Sequence, residues 1–128
     1  ETQVLPGALM RNAELKFICR DVSLRVEAKS AFTDGYTIGD EISLPVAHHD
    51  GNYLVTDADL ARLNDQGRVA LRYTEDVNGS IGGIAGVLSE NKRVLGMMPH
   101  PERAADPVLA RTDGAALFRS LASLTVNA

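Results

Sequence analysis

The three histidines of this chain stand in two places, each with a carboxylate close behind: His100 with Glu102, and His48-His49 with Asp50. His100 is bracketed by Pro99 and Pro101. Proline fixes its own φ and pushes the residue before it toward extended backbone, where side chains two apart lean to the same side. Glu102 can then hold one imidazole nitrogen of His100 and leave the other to take a proton. That is a base with its orienting carboxylate, and it still needs a nucleophile. The plainer reading is a surface loop whose histidine satisfies local backbone, because His-x-Glu is short and common.

His48-His49-Asp50-Gly51 follows an extended segment, so the two adjacent rings point to opposite faces and do not grip one ion together. A zinc site assembled from His48, Asp50, His100 and Glu102 is an alternative, but none of the compact metal spacings is present. A zinc deaminase pairs His-x-Glu with downstream cysteines, whereas the one cysteine here, Cys19, lies upstream. Cys19 sits in the apolar run Phe17-Ile18-Cys19 and reads as a small buried hydrophobe. No glycine-rich turn surrounds it to offer N–H groups to an oxyanion. The stretch from Gly79 to Gly86 lacks the Gly-Lys-Ser/Thr of a phosphate loop. Asn78-Gly79-Ser80 matches a glycosylation sequon, which means little without a secretory signal.

The elements that must hold these groups are short. Val22, Leu24 and Val26 alternate with polar residues, which predicts a half-buried strand extended upstream through Phe17. Ile42, Leu44 and Val46 predict a second, with Pro45 placing it at a sheet edge or falling in its last residues. Thr56 or Asp57 caps a helix running to Gln66, with Leu60 and Leu63 on one face and Gly67 as its left-handed stop. Val69, Leu71 and Tyr73 make a third strand. Ile84–Leu88 and Arg93–Met97 flank Glu90-Asn91-Lys92 as a hairpin. Gly86 and Gly96 mark places where another backbone or a substrate approaches closely. A last helix starts near Thr112 or Asp113, with Leu117, Leu121 and Leu124 as its stripe. The layout is mixed α and β, without repeats.

With 128 residues, 45% hydrophobic and 23% charged, the chain has the composition of one ordinary domain. Thirteen basic against seventeen acidic residues give a net charge of −4, which argues against a nucleic-acid partner. No apolar run approaches the ~20 residues of a membrane span. A lone cysteine fits a reducing cytoplasm. The chain opens on Glu1 and reaches Leu5-Pro6-Gly7 almost at once, so it reads as the later portion of a larger protein.

Several segments, taken in order, resemble one family: Leu5-Pro6-Gly7-Ala8-Leu9-Met10-Arg11-Asn12, Phe17-Ile18-Cys19-Arg20-Asp21-Val22 and Val46-Ala47-His48-His49-Asp50-Gly51-Asn52-Tyr53. So do Asn78-Gly79-Ser80, Ile84-Ala85-Gly86-Val87 and Val94-Leu95-Gly96-Met97-Met98-Pro99-His100-Pro101-Glu102-Arg103. The resemblance is to the glutamine amidotransferase subunit of phosphoribosylformylglycinamidine synthase, a class I (triad) amidotransferase of purine biosynthesis, from Leu5 to about Leu121.

The resemblance implies an α/β, flavodoxin-like class I amidotransferase fold, with residues 1–128 forming the carboxy-terminal portion of a single domain. It implies His100 as triad base and Glu102 as its orienting carboxylate. His48 and His49 fall in the segment beside the substrate, and His49 stands where the family most often has Gly. Family members hydrolyse glutamine without metal or organic cofactor and pass ammonia to a large synthetase subunit that uses ATP and magnesium; some members also need a third small subunit. The family's nucleophile lies in a Gly-x-Cys-Asn-Gly-x-Gln segment that this sequence does not contain. Cys19 matches a different, non-catalytic cysteine. The chain alone is therefore expected to be inactive as a glutaminase and poorly stable. Its rivals are a non-catalytic docking module for a synthetase and the metal-dependent hydrolase above.

Overall fold

The computed structural model describes residues 5–105 and 112–126, with side chains through residue 122. Seven strands are present: β1 (Ala8–Met10), β2 (Ile18–Val26), β3 (Glu41–His48), β4 (Asn52–Leu54), β5 (Val69–Tyr73), β6 (Ile84–Leu88) and β7 (Leu95–Met97). Helix α1 spans Asp57–Asp65 and α2 spans Ala115–Val126, and a 3-10 turn occupies Pro101–Ala104. Five strands form one sheet in the order β3-β2-β5-β6-β7, while β1 and β4 make a separate two-stranded ribbon. Every pairing among the described strands is antiparallel.

The alternation on β2 does what its pattern requires: Val22, Leu24 and Val26 are buried and Arg25 is exposed. They join Ile42, Leu44 and Val46 of β3, Leu71 and Tyr73 of β5, and Leu117 of α2 in the larger core. The smaller core is Leu63 of α1 against Val69, Ile84 and Val87, with Leu60 partly buried beside it. Thr56 caps α1 by accepting the Asp59 N–H, and Gly67 follows at φ 62°. The hairpin around Glu90-Asn91-Lys92 closes as β6 and β7. Leu117 and Leu121 face the core as expected, and Leu124 lies outside the described side chains.

β3 is a sheet edge, one of the two placements Pro45 allowed, and its outer side is covered. The Ser43 N–H donates to Asp113 Oδ2 at 2.8 Å, and Pro45 C=O accepts the His100 N–H at 2.8 Å. Pro45 therefore stands where a missing N–H costs no ladder bond. Gly114 lets the start of α2 sit on the 3-10 turn, since a Cβ there would come within 2.2 Å of Pro101 C=O.

Two expectations change. Cys19 is exposed, not buried. β5 pairs β2 only over Leu24–Val26, so among the described strands the upstream part of β2 is paired with β3 alone. The protein atoms nearest these glycines are side chains rather than backbone: a Cβ at Gly96 would meet Leu5 Cδ1 at 2.5 Å, and one at Gly86 would meet the Leu71 side chain at 3.4 Å.

Candidate active site

His100 closes the loop after β7 and opens the 3-10 turn, with φ −105° and ψ 87°, extended as a residue before proline should be. Pro101 then starts the turn at a position where no N–H is needed. The turn swings Glu102 back under the ring, and His100 Nδ1 lies 2.8 Å from Glu102 Oε1. Both groups are reachable from solvent, with side-chain exposures of 33% for His100 and 56% for Glu102. Burial alone would raise the Glu102 pKa. Hydrogen bonds from its own backbone N–H and from His100, with the His100 and Arg103 charges, outweigh that and hold it below 4.5. Glu102 is thus an ionised acceptor at neutral pH, so the ring proton belongs on Nδ1 and the lone pair on Nε2.

On the other side of Pro45, β3 ends in His48. As expected for adjacent residues on an extended chain, the two rings part: His48 is 6% exposed, while His49 turns out and meets Phe17, ring centroids 4.9 Å apart. Burial and the nearby His100 oppose a positive charge on His48 and lower its pKa. The loop after it is pinned by Asn12, which is 1% exposed. Asn12 Nδ2 donates to the carbonyls of His48 (2.9 Å) and Lys16 (2.7 Å), and its Oδ1 accepts the Gly51 N–H at 2.9 Å. Asn78 is buried below, which puts the sequon's acceptor nitrogen out of reach of modification.

The zinc alternative requires His48, Asp50, His100 and Glu102 to converge. Among the described residues no group of three or more His, Cys, Asp or Glu is placed to hold a metal ion. Asp50 is exposed and leans toward Arg11 at 3.7 Å. Cys19 pairs with Ala47 on one side of β3, whereas His100 bonds Pro45 on the other. A strand stands between thiol and imidazole, so Cys19 does not serve this base.

An apolar cleft of about 760 Å³ opens nearby, lined by Leu5, Leu9, Gly51, Tyr53, Ile84 and Met98 among others. Among the described residues that line it there is neither His100 nor Glu102 and no charged side chain. Asn12 and Gly51, which shape the His48 loop, were not singled out as site residues; a buried Asn in a single sequence gives no periodic signal.

A model of the CobB/CobQ-like glutamine amidotransferase domain matches residues 2–115. The chain belongs to that family, as its motifs implied. Among its relatives, the phosphoribosylformylglycinamidine synthase subunit PurQ of Ruegeria sp. (strain TM1040) is 60% identical over 129 residues, taking in 100% of this chain and 58% of that protein. The PurQ subunit of Roseobacter denitrificans is 62% identical over 122 residues, 94% of this chain and 55% of that one. A chain in the structure of PurLQS from Thermotoga maritima superposes with a TM-score of 0.85 at 42% identity, covering 96% of this chain and 55% of that one. The fold is that of a class I glutamine amidotransferase, and the chain spans somewhat over half the length of these relatives. No helix among the described residues is long and apolar enough to cross a membrane.

Proposed function

We propose that this chain supplies the base and orienting carboxylate of a glutaminase that feeds ammonia to phosphoribosylformylglycinamidine synthase in purine biosynthesis. The observation that carries the reading is the 2.8 Å His100–Glu102 contact in a turn anchored on β3, in a chain of the amidotransferase family.

In the intact enzyme a cysteine thiol from a segment outside this sequence attacks the side-chain carbonyl carbon of glutamine, and His100 Nε2 takes the thiol proton. As the C–N bond breaks, the same nitrogen gives that proton to departing ammonia. Water then adds to the glutamyl thioester with His100 again as base, releasing glutamate and restoring the thiol. Glu102 holds the Nδ1–H tautomer and stabilises the imidazolium formed in each step. No metal or organic cofactor enters this half-reaction. The partners of this reading are a large synthetase subunit, which uses ATP and magnesium, and a small third subunit, in a cytoplasmic complex. On this reading the His48–His49 loop is the segment that borders the glutamine.

The test is ammonia release from glutamine by the 128-residue chain alone and in the presence of the remaining portion of a PurQ relative. The expected result is no turnover alone, turnover when the two are combined, and loss of that turnover on His100→Ala. An ordinary rate of ~10 per second from the chain alone contradicts the reading.

A further inference from the structure

The described residues hold a second imidazole that the proposed reaction does not use, and its surroundings dictate its protonation. Asn78 Oδ1 accepts the Ser80 backbone N–H at 3.1 Å and lies 2.6 Å from the Ser80 hydroxyl. That hydroxyl also reaches Gly51 C=O at 3.0 Å and accepts the Tyr53 N–H at 2.9 Å. With its oxygen committed to a backbone N–H, Asn78 can only turn its amide nitrogen the other way. Nδ2 then donates to Tyr73 Oη at 3.2 Å and faces His48 Nε2 at 3.4 Å. A donor amide facing Nε2 requires a lone pair there, so the proton of neutral His48 sits on Nδ1. Among the described residues His48 Nδ1 is buried without a hydrogen-bond partner.

We propose that Asn78 is a positioning residue: by fixing His48 as the neutral Nδ1–H tautomer, it leaves His100 rather than His48 to take and give the proton. The role given to His100 rests on the functional reading above; the tautomer of His48 does not. A second proton on His48 would set its Nε2–H against the amide N–H of Asn78, and the amide cannot flip without setting Nδ2 against the Ser80 N–H. It would also place a positive ring beside the imidazolium that His100 becomes. The His48 backbone and the Asp50 charge favour the charged ring, but burial and His100 outweigh them. Asp50, on its own loop, is exposed and drawn to Arg11. Tyr73, on β5, is kept neutral by burial, its pKa pushed up to about 12. His100, at the start of the 3-10 turn, repels added charge.

The test is ring-nitrogen NMR of the histidines in the intact, full-length protein, without glutamine. The wild type is expected to show His48 as the Nδ1–H tautomer, still neutral where an ordinary histidine titrates, at about pH 6.5. Asn78→Asp replaces the donor with an acceptor, and the expected result is a His48 that takes its second proton at higher pH. If N78D does not fold, N78S removes the same donor, and the expected result is a His48 that exchanges between tautomers. A wild-type His48 in the Nε2–H form, or substitutions that leave the His48 tautomer and titration unchanged, overturns the proposal. Absence of glutaminase activity alongside the expected spectra overturns only the functional reading.

Discussion

The His48 ring lies so close over Gly51 that a Cβ on Gly51 would come within 2.4 Å of His48 Cε1 and within 2.6 Å of both ring nitrogens. The requirement for glycine here is steric: the backbone approaches the ring, and no methyl group fits between them. Gly51→Ala must move either the buried imidazole or the loop held by Asn12. Overpacking of this kind costs roughly 1–3 kcal/mol. Urea unfolding of the intact protein is expected to show that loss, with the His48 ring signals displaced.

Asn12→Ala is expected to cost more than an ordinary surface change. The side chain meets the His48 and Lys16 carbonyls and the Gly51 N–H, and truncation leaves buried groups without partners at about 1–3 kcal/mol each. Water entering the gap offsets part of this, so a net loss of about 2–3 kcal/mol is expected by denaturant titration. Lys16, near the loop's exposed rim, is the group most readily satisfied by solvent.

His48 also sets a pH window for stability. Its folded pKa is lowered below 6.5 by burial first and by His100 next, so the unfolded chain binds the proton before the folded one does. The contribution is therefore fully present above pH 6.5 and is lost as pH falls from there through the lower folded value. The thermal midpoint of the wild type is expected to drop more between about pH 7 and 5 than that of His48→Asn. Equal drops in the two proteins contradict this.

The parts of the fold that were legible are those with a period or a cap. Val22-Leu24-Val26 and Ile42-Leu44-Val46 declare strands because each buries one face, and Thr56 and Gly67 bound α1 through local backbone chemistry. The ribbon of Ala8–Met10 and Asn52–Leu54 was not legible, since three residues hold no period and the Asn52–Tyr53 stretch reads as loop. Cys19 was misread because an apolar run says nothing about which neighbour covers it; β5 stops short. In the site, His100 and Glu102 stand out because the prolines constrain both. The Asn12–Gly51–His48–Asn78 arrangement joins residues far apart in sequence, and only the fold brings them together.

Glu102 separates chemistry from stability. Its contact with His100 is solvent-exposed on both sides, and exposed pairs contribute only ~0–1 kcal/mol. Glu102→Gln keeps the size and an acceptor oxygen but removes the charge that stabilises the imidazolium. The thermal midpoint at neutral pH is expected to stay near that of the wild type.

The most direct test of the central claim is the rate of ammonia release from glutamine by the intact enzyme carrying Glu102→Gln, at saturating glutamine. If His100 is the base and Glu102 its orienter, kcat falls by about 10²–10⁴-fold, the scale of losing such a carboxylate in a triad, in a protein of unchanged fold. A variant that releases ammonia at the wild-type rate contradicts the assignment.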